Sequence, residues 1–327
     1  MRKFFDSNAL WLSMVIGCLG YKLFLPLKPT LPWLIFFMLF FTFCKVNPLT
    51  LRLHKWHWVV LTLQIIFSLT TYAGVYCLTK DKILAQGMML CFIMPTATAA
   101  PIIAGKLGGS IQNLTSFTLL SNFAISIIVP ALFPLIYSAS GMTFWPAFLL
   151  ILSRISPLLL GPFFAAWALR IIYQRRTKKE FVLSKTAAQI PFYLWVSSII
   201  VLSSVVTETV LGSFEQLWGT MLWLLLGSFI ACLLQFGLGK VLGYYFPAAS
   251  KGTDYQDVLI NPAAAPKTMN GVSSITAGQA FGQKNTSLGV WMGQTFLDPL
   301  SSLGAAAYII WQNIFNSAQL TVAAHKK

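Results

Sequence analysis

Apolar residues fill this chain in long blocks separated by short polar segments, and within the blocks apolar and polar positions do not alternate. About 20 consecutive apolar residues are what a helix needs to cross the hydrocarbon core of a bilayer. A closed β-barrel would need short alternating segments instead. Lipid offers no partner to an open backbone, so helices are the expected element throughout. The pattern predicts ten membrane helices, over residues 9–27, 31–46, 56–78, 83–106, 111–137, 144–172, 192–211, 217–246, 256–282 and 287–311. The second block is short, which makes a nine-span layout the main rival. The opening stretch MRKFFDSNALWLSMVIGCLG has the charge and length of a signal peptide but no small-x-small cleavage site, so it is expected to be the first helix.

Composition agrees with a single polytopic membrane domain over residues 1–327. The chain is 57% hydrophobic and 9% charged, with a mean hydropathy of +0.72, whereas soluble domains carry about 25% charged residues. The net charge of +15 would suit a nucleic-acid partner if it were clustered. It is scattered through short segments between apolar blocks, so nucleic acid is excluded as a partner and the lipid bilayer takes its place. Basic segments set topology in membrane proteins. The richest, YQRRTKKEFVLSK, lies between the sixth and seventh blocks, and the distribution predicts both termini in the cytoplasm. The five cysteines form no C-x-x-C pair, and the three histidines have no ligand spacing. No metal site and no cofactor is expected.

An internal repeat is the most informative feature. The fourth block reads TATAAPIIAG with Pro101, and the ninth reads PAAAPKTMNG with Pro266. Pro134 follows the first by 33 residues and Pro299 follows the second by 33, with an offset of 165 between the sets. Residues 1–138 and 139–327 are therefore expected to be two five-helix repeats. Five is odd, so the repeats would be inverted in the membrane. Inverted repeats with interrupted helices at matching positions mark secondary transporters.

Proline removes a backbone donor and clashes with the carbonyl four residues earlier. MPTATAAP and NPAAAPK each place two prolines near mid-membrane, and both are expected to unwind. Freed backbone groups there must face protein or a water-filled cavity, and half-helix ends bind ions and anionic groups. Polar residues gather around the two breaks: Gln64 in the third helix, Thr96 and Thr98 before the first break, Asn113, Thr115, Thr118 and Asn122 on the fifth helix, and Thr268 and Asn270 after the second break. A lone Ser or Thr more often bonds back to its own helix. Three charges are read as lying deep in the membrane, away from the block ends, Arg154, Lys267 and Asp298, and such charges are functional-site candidates by default. Arg154 and Asp298 would lie at similar depth, either as an ion pair or with Arg154 facing a cavity that attracts an anion.

These residues resemble the bile acid:sodium symporter family, most closely in LTLQ ending at Gln64, in MPTATAAPIIAGKLGGS, in LTSFTLLSN and in PKTMNG. Auxin-efflux-type carriers share a related plan. The resemblance implies ten helices in two inverted repeats, with helices 4 and 9 broken and crossing, and a small organic anion as substrate. The family's helix-3 glutamine matches Gln64, its helix-5 threonine matches Thr118, and its amide after the second break matches Asn270. Its sodium-binding Ser-Asn pair falls on Ala100 and Pro101, and its helix-9 glutamate falls on or beside Pro266. The frame is kept and the carboxylate is lost. Lys267 is therefore expected to bring its own positive charge to the place of sodium, and a lysine there also offers a site to load and release a proton. Sodium or a proton is the candidate coupling ion.

Two other classes compete. A non-transporting receptor predicts a soluble signalling domain. An intramembrane enzyme predicts paired acids or a metal cluster, and only Asp298 is read as an acid deep in the membrane, so no enzymatic activity is expected.

Overall fold

The computed structural model describes residues 2–48, 51–136, 141–184, 186–246 and 269–325. Apart from one isolated bridge, helices are the only regular elements among them: α1 (Arg2–Leu19), α2 (Tyr21–Phe24), α3 (Leu31–Phe43), α4 (Lys55–Thr79), α5 (Lys82–Ile93), α6 (Ala100–Leu107), α7 (Ile111–Ile136), α8 (Phe144–Thr177), α9 (Ile190–Tyr245), α10 (Met269–Gly282), α11 (Thr286–Phe296) and α12 (Ser302–His325). Leu217, at φ −130° and ψ 18°, interrupts α9, which is two spans in one run.

Six helical stretches among the described residues are long and apolar enough to cross a membrane: Tyr21–Phe43, Lys55–Thr79, Ile111–Ile136, Phe144–Thr177, Ala187–Glu215 and Leu217–Tyr245. Only 22–39% of their apolar windows is buried inside the protein. The rest faces outward, Trp33, Trp58, Trp145 and Trp223 among it. A surface of that kind needs lipid, not water, around it. The chain is an all-α membrane protein.

Local chemistry sets the helix ends. The Asp81 carboxylate accepts the Leu84 amide at 3.0 Å and opens α5 as its N-cap. Gly108, at φ 89°, closes α6 in the left-handed conformation that a glycine adopts without strain. At the start of α4, the His54 amide donates to Nδ1 of His57 at 3.1 Å, one arm of a capping box made from two histidines.

The chain folds into two compact units. One comprises Met1–Pro48, Ser126–Trp218 and Val290–Ser302. In it α3 packs on α8, with Phe43 edge-on to Phe163. The buried Arg170 guanidinium donates to the Cys44 and Val46 carbonyls at 3.3 and 3.1 Å, closing the end of α3. Gly17 of α1 rests against the Ile200 backbone of α9, where any side chain would overlap it.

The other unit comprises Leu49–Ile125, Gly219–Gly289 and Leu303–Lys327. Here α4 packs along α5, and α10 packs on α6 and α4. Small residues let the backbones approach, as is usual between membrane helices. Gly304 of α12 lies against Gly87 of α5, and Gly243 of α9 against Ser273 of α10. The apolar core here includes Trp56, Val60, Ala104, Phe117 and Phe281.

The chain departs from the expected spans in its last quarter. The expected break at Pro262 and Pro266 lies outside the described residues. Within them, α10 runs unbroken to Gly282, and the interruption falls at Gln283, Lys284 and Asn285 before α11 resumes. The block expected at 287–311 is not one helix. It ends at Phe296, turns at Asp298 and restarts as α12 at Ser302. Pro134 lies inside α7 while Pro299 opens a single 3-10 turn, so the matched proline spacing does not mark equivalent places in the fold. The reason is physical. A proline and a short polar run both interrupt a helix, and only the proline is conspicuous in sequence.

Candidate functional site

Two interrupted helices meet at the centre of the second unit. The first is α5, then residues 94–99, then α6. The second is α10, then residues 283–285, then α11. Their irregular stretches pair antiparallel through an isolated bridge between Thr96 and Lys284. The Ala97 amide donates to the Gln283 carbonyl at 2.9 Å, and the Asn285 amide donates to the Pro95 carbonyl at 2.7 Å. Each break thus satisfies backbone groups that the other exposes, which a bilayer interior demands.

Side chains from neighbouring helices satisfy the cut ends. The last carbonyls of a helix have no partner within it. At the end of α5, Gln235 of α9 donates to the Cys91 carbonyl at 3.1 Å and Lys284 donates through Nζ to Phe92 at 3.0 Å. Gln64 of α4 donates to Ile93 at 3.2 Å and to Met94 at 2.9 Å. At the end of α10, the Thr96 hydroxyl donates to Ala280 at 2.7 Å and the Tyr308 hydroxyl donates to Gly282 at 2.7 Å. The Lys284 amide donates to Oε1 of Gln312 at 3.0 Å. Asn285 then opens α11, its side-chain oxygen accepting the Leu288 amide at 3.2 Å.

Lys284 is the unusual residue. It is 0% exposed. Its Nζ lies 5.3 Å from the centre of the Phe281 ring, within cation–π range. Among the described residues no carboxylate pairs with it, and no cluster of His, Cys, Asp or Glu could hold a metal ion. Buried amide oxygens of Gln64, Gln235, Gln279 and Gln283, and that of Asn122, accept no hydrogen bond.

The sequence-predicted residues divide into three groups. Gln64 stands at the crossing, fully buried. Thr98 lies half-buried in the first break, and Pro101 occupies the first turn of α6. Asn122 is buried on α7, one residue after Ser121, whose hydroxyl accepts the Thr96 amide at 3.3 Å. A second group serves its own helix: Thr115 bonds back to Ile111 at 2.8 Å, and Thr118 to Leu114 at 2.9 Å. Asn113 caps toward the loop before α4 through His54. Asn270 is half-buried in the first turn of α10. The charges make up the third group. Arg154 is exposed on α8. Asp298 caps a turn, its carboxylate accepting the Leu300 amide at 3.0 Å. Pro266, Lys267 and Thr268 lie outside the described residues.

Sequence reasoning missed Lys284, Gln235, Tyr308 and Gln312. The polar run GQKNT falls between the expected spans 256–282 and 287–311 and reads as a loop, which leaves Lys284 out of the intramembrane charges. Gln235 and Tyr308 sit in apolar blocks and Gln312 directly follows one, and their hydrogen-bonding groups are the signal that marked Gln64. No family model matches the chain, and no curated protein matches it in sequence.

Proposed function

We propose that this protein is a secondary transporter of a small organic anion, working by alternating access in a bacterial inner membrane with both termini cytoplasmic. Its ten spans would form two inverted five-helix repeats, with α5–α6 and α10–α11 as the equivalent broken helices. The single observation that carries this reading is the crossing of those two interrupted helices around the buried Lys284. Unwound backbone at membrane depth is tolerated where it serves a binding site. A buried cation with no carboxylate beside it favours a negatively charged ligand. Thr98 and the first turn of α6 are the nearest candidates for contact with that ligand, because Ala99 beside them is exposed and α6 has no side-chain cap.

The test is uptake into proteoliposomes holding the purified protein, with radiolabelled organic anions from short carboxylates to bile acids. Sodium and proton gradients are imposed separately. Concentrative uptake of one anion class under one gradient is the expected result. If no anion accumulates under either gradient while anions still stabilise the protein thermally, the transporter reading fails and a receptor reading replaces it.

A further inference from the structure

We propose that the Lys284 ammonium is a tethered internal cation for the crossing, so that the interrupted helices hold together without any bound Na+ or K+. The argument starts from the cut end of α5. Carbonyl oxygens at a helix C-terminus carry the negative end of the helix dipole and attract a cation. The carbonyls of Cys91, Phe92, Ile93 and Met94 all receive donors from outside their helix, and of those donors only Lys284 can carry a charge. It comes from the opposite broken helix, so its charge joins the two. Burial of an ammonium is costly unless oxygens and ring faces replace its water. The Phe92 carbonyl at 3.0 Å and the Phe281 ring at 5.3 Å do so directly. Gln64 and Gln235 cap the same end of α5 and, like Gln283 beside the lysine, keep side-chain oxygens that accept no hydrogen bond, which adds to the negative potential there. A metal ion at such an end would need the same oxygens. The tethered ammonium already supplies the positive charge there and takes the Phe92 carbonyl.

This inference concerns the site alone and does not depend on the protein being a transporter, because its readout is stability. Melting temperatures of the detergent-purified protein are measured in choline chloride, NaCl and KCl at equal ionic strength. Wild type is expected to melt at the same temperature in all three. Lys284→Gln keeps a donor and removes the charge. It is expected to melt several degrees lower in choline chloride and to recover part of the loss in NaCl or with added ethylammonium. A wild type that is stabilised by Na+ or K+ overturns the proposal. So does a Lys284→Gln protein as stable as wild type in choline chloride, because the hydrogen bond alone would then suffice. If the variant does not fold, the wild-type comparison across salts decides.

Discussion

Thr96 and Lys284 cap one another's helices. The Thr96 hydroxyl donates to the carbonyl of Ala280, four residues before Lys284, and the Lys284 ammonium donates to the carbonyl of Phe92, four residues before Thr96. The backbone bonds on either side, Ala97 to Gln283 and Asn285 to Pro95, keep the same reciprocity. Two segments 188 positions apart (284 minus 96) thus use one geometric device twice.

Thr96→Val keeps the shape and removes the hydroxyl, leaving the Ala280 carbonyl without its side-chain donor. A buried acceptor left unsatisfied costs about 1–3 kcal/mol. The variant should melt lower than wild type, and Thr96→Ser should recover most of the loss. A Thr96→Val protein with unchanged melting would mean that water replaces the hydroxyl.

Gly304→Val tests the approach of α12 to α5. A Cβ at Gly304 would lie 2.8 Å from the Gly87 carbonyl carbon, and that neighbour is backbone that cannot swing aside. Overpacking of this kind costs about 1–3 kcal/mol or more. Reduced folded yield by size-exclusion profile is expected, whereas Gly74→Ala, with open space around it, should leave the profile unchanged.

Arg170→Leu removes the donor from the Cys44 and Val46 carbonyls. Hydrogen bonds from a charged group contribute about 1.5–3 kcal/mol. Proteolysis should become faster in the segment after α3, and Arg170→Lys should restore only part of the resistance, because both bonds come from Nη2 at the tip of the longer guanidinium side chain. Equal cleavage rates in wild type and Arg170→Leu would remove this role.

Acid should destabilise the start of α4. Burial holds the His54 imidazole below its ordinary value, with the nearby Arg52 charge acting in the same direction and the hydrogen bond with Asn113 opposing them. A histidine whose pKa is lower in the folded state binds its proton more readily when unfolded. Its stabilising contribution is therefore complete above the unfolded value and is lost as pH falls through the folded one. Melting temperature should fall between pH 7 and 5, and less steeply in His54→Gln. Parallel pH curves for the two proteins would show that His54 takes no part.

The first break could be read in the sequence because proline is its cause. MPTATAAP places two residues without amide donors inside an apolar block, and α5 and α6 separate there. Gln64 could be read because a side-chain amide deep in an apolar block must find partners, and it finds the carbonyls of Ile93 and Met94. The second break could not. A polar run such as GQKNT between two apolar blocks looks the same whether it is a loop at the membrane surface or unwound chain inside. Only pairing with residues 95–97 distinguishes the two, and that pairing is non-local. For the same reason Lys284 reads as a loop residue in sequence, whereas Lys267, a lysine beside a proline, stands out.

The reciprocal capping also bears on biosynthesis. When α5 leaves the ribosome, the residues that will occupy its last carbonyls are Gln64, already made, and Gln235 and Lys284, not yet translated. Until they arrive, the nascent chain carries an open helix end that hydrocarbon cannot accommodate. The cut end of α5 is therefore completed only after residue 284 has been synthesised.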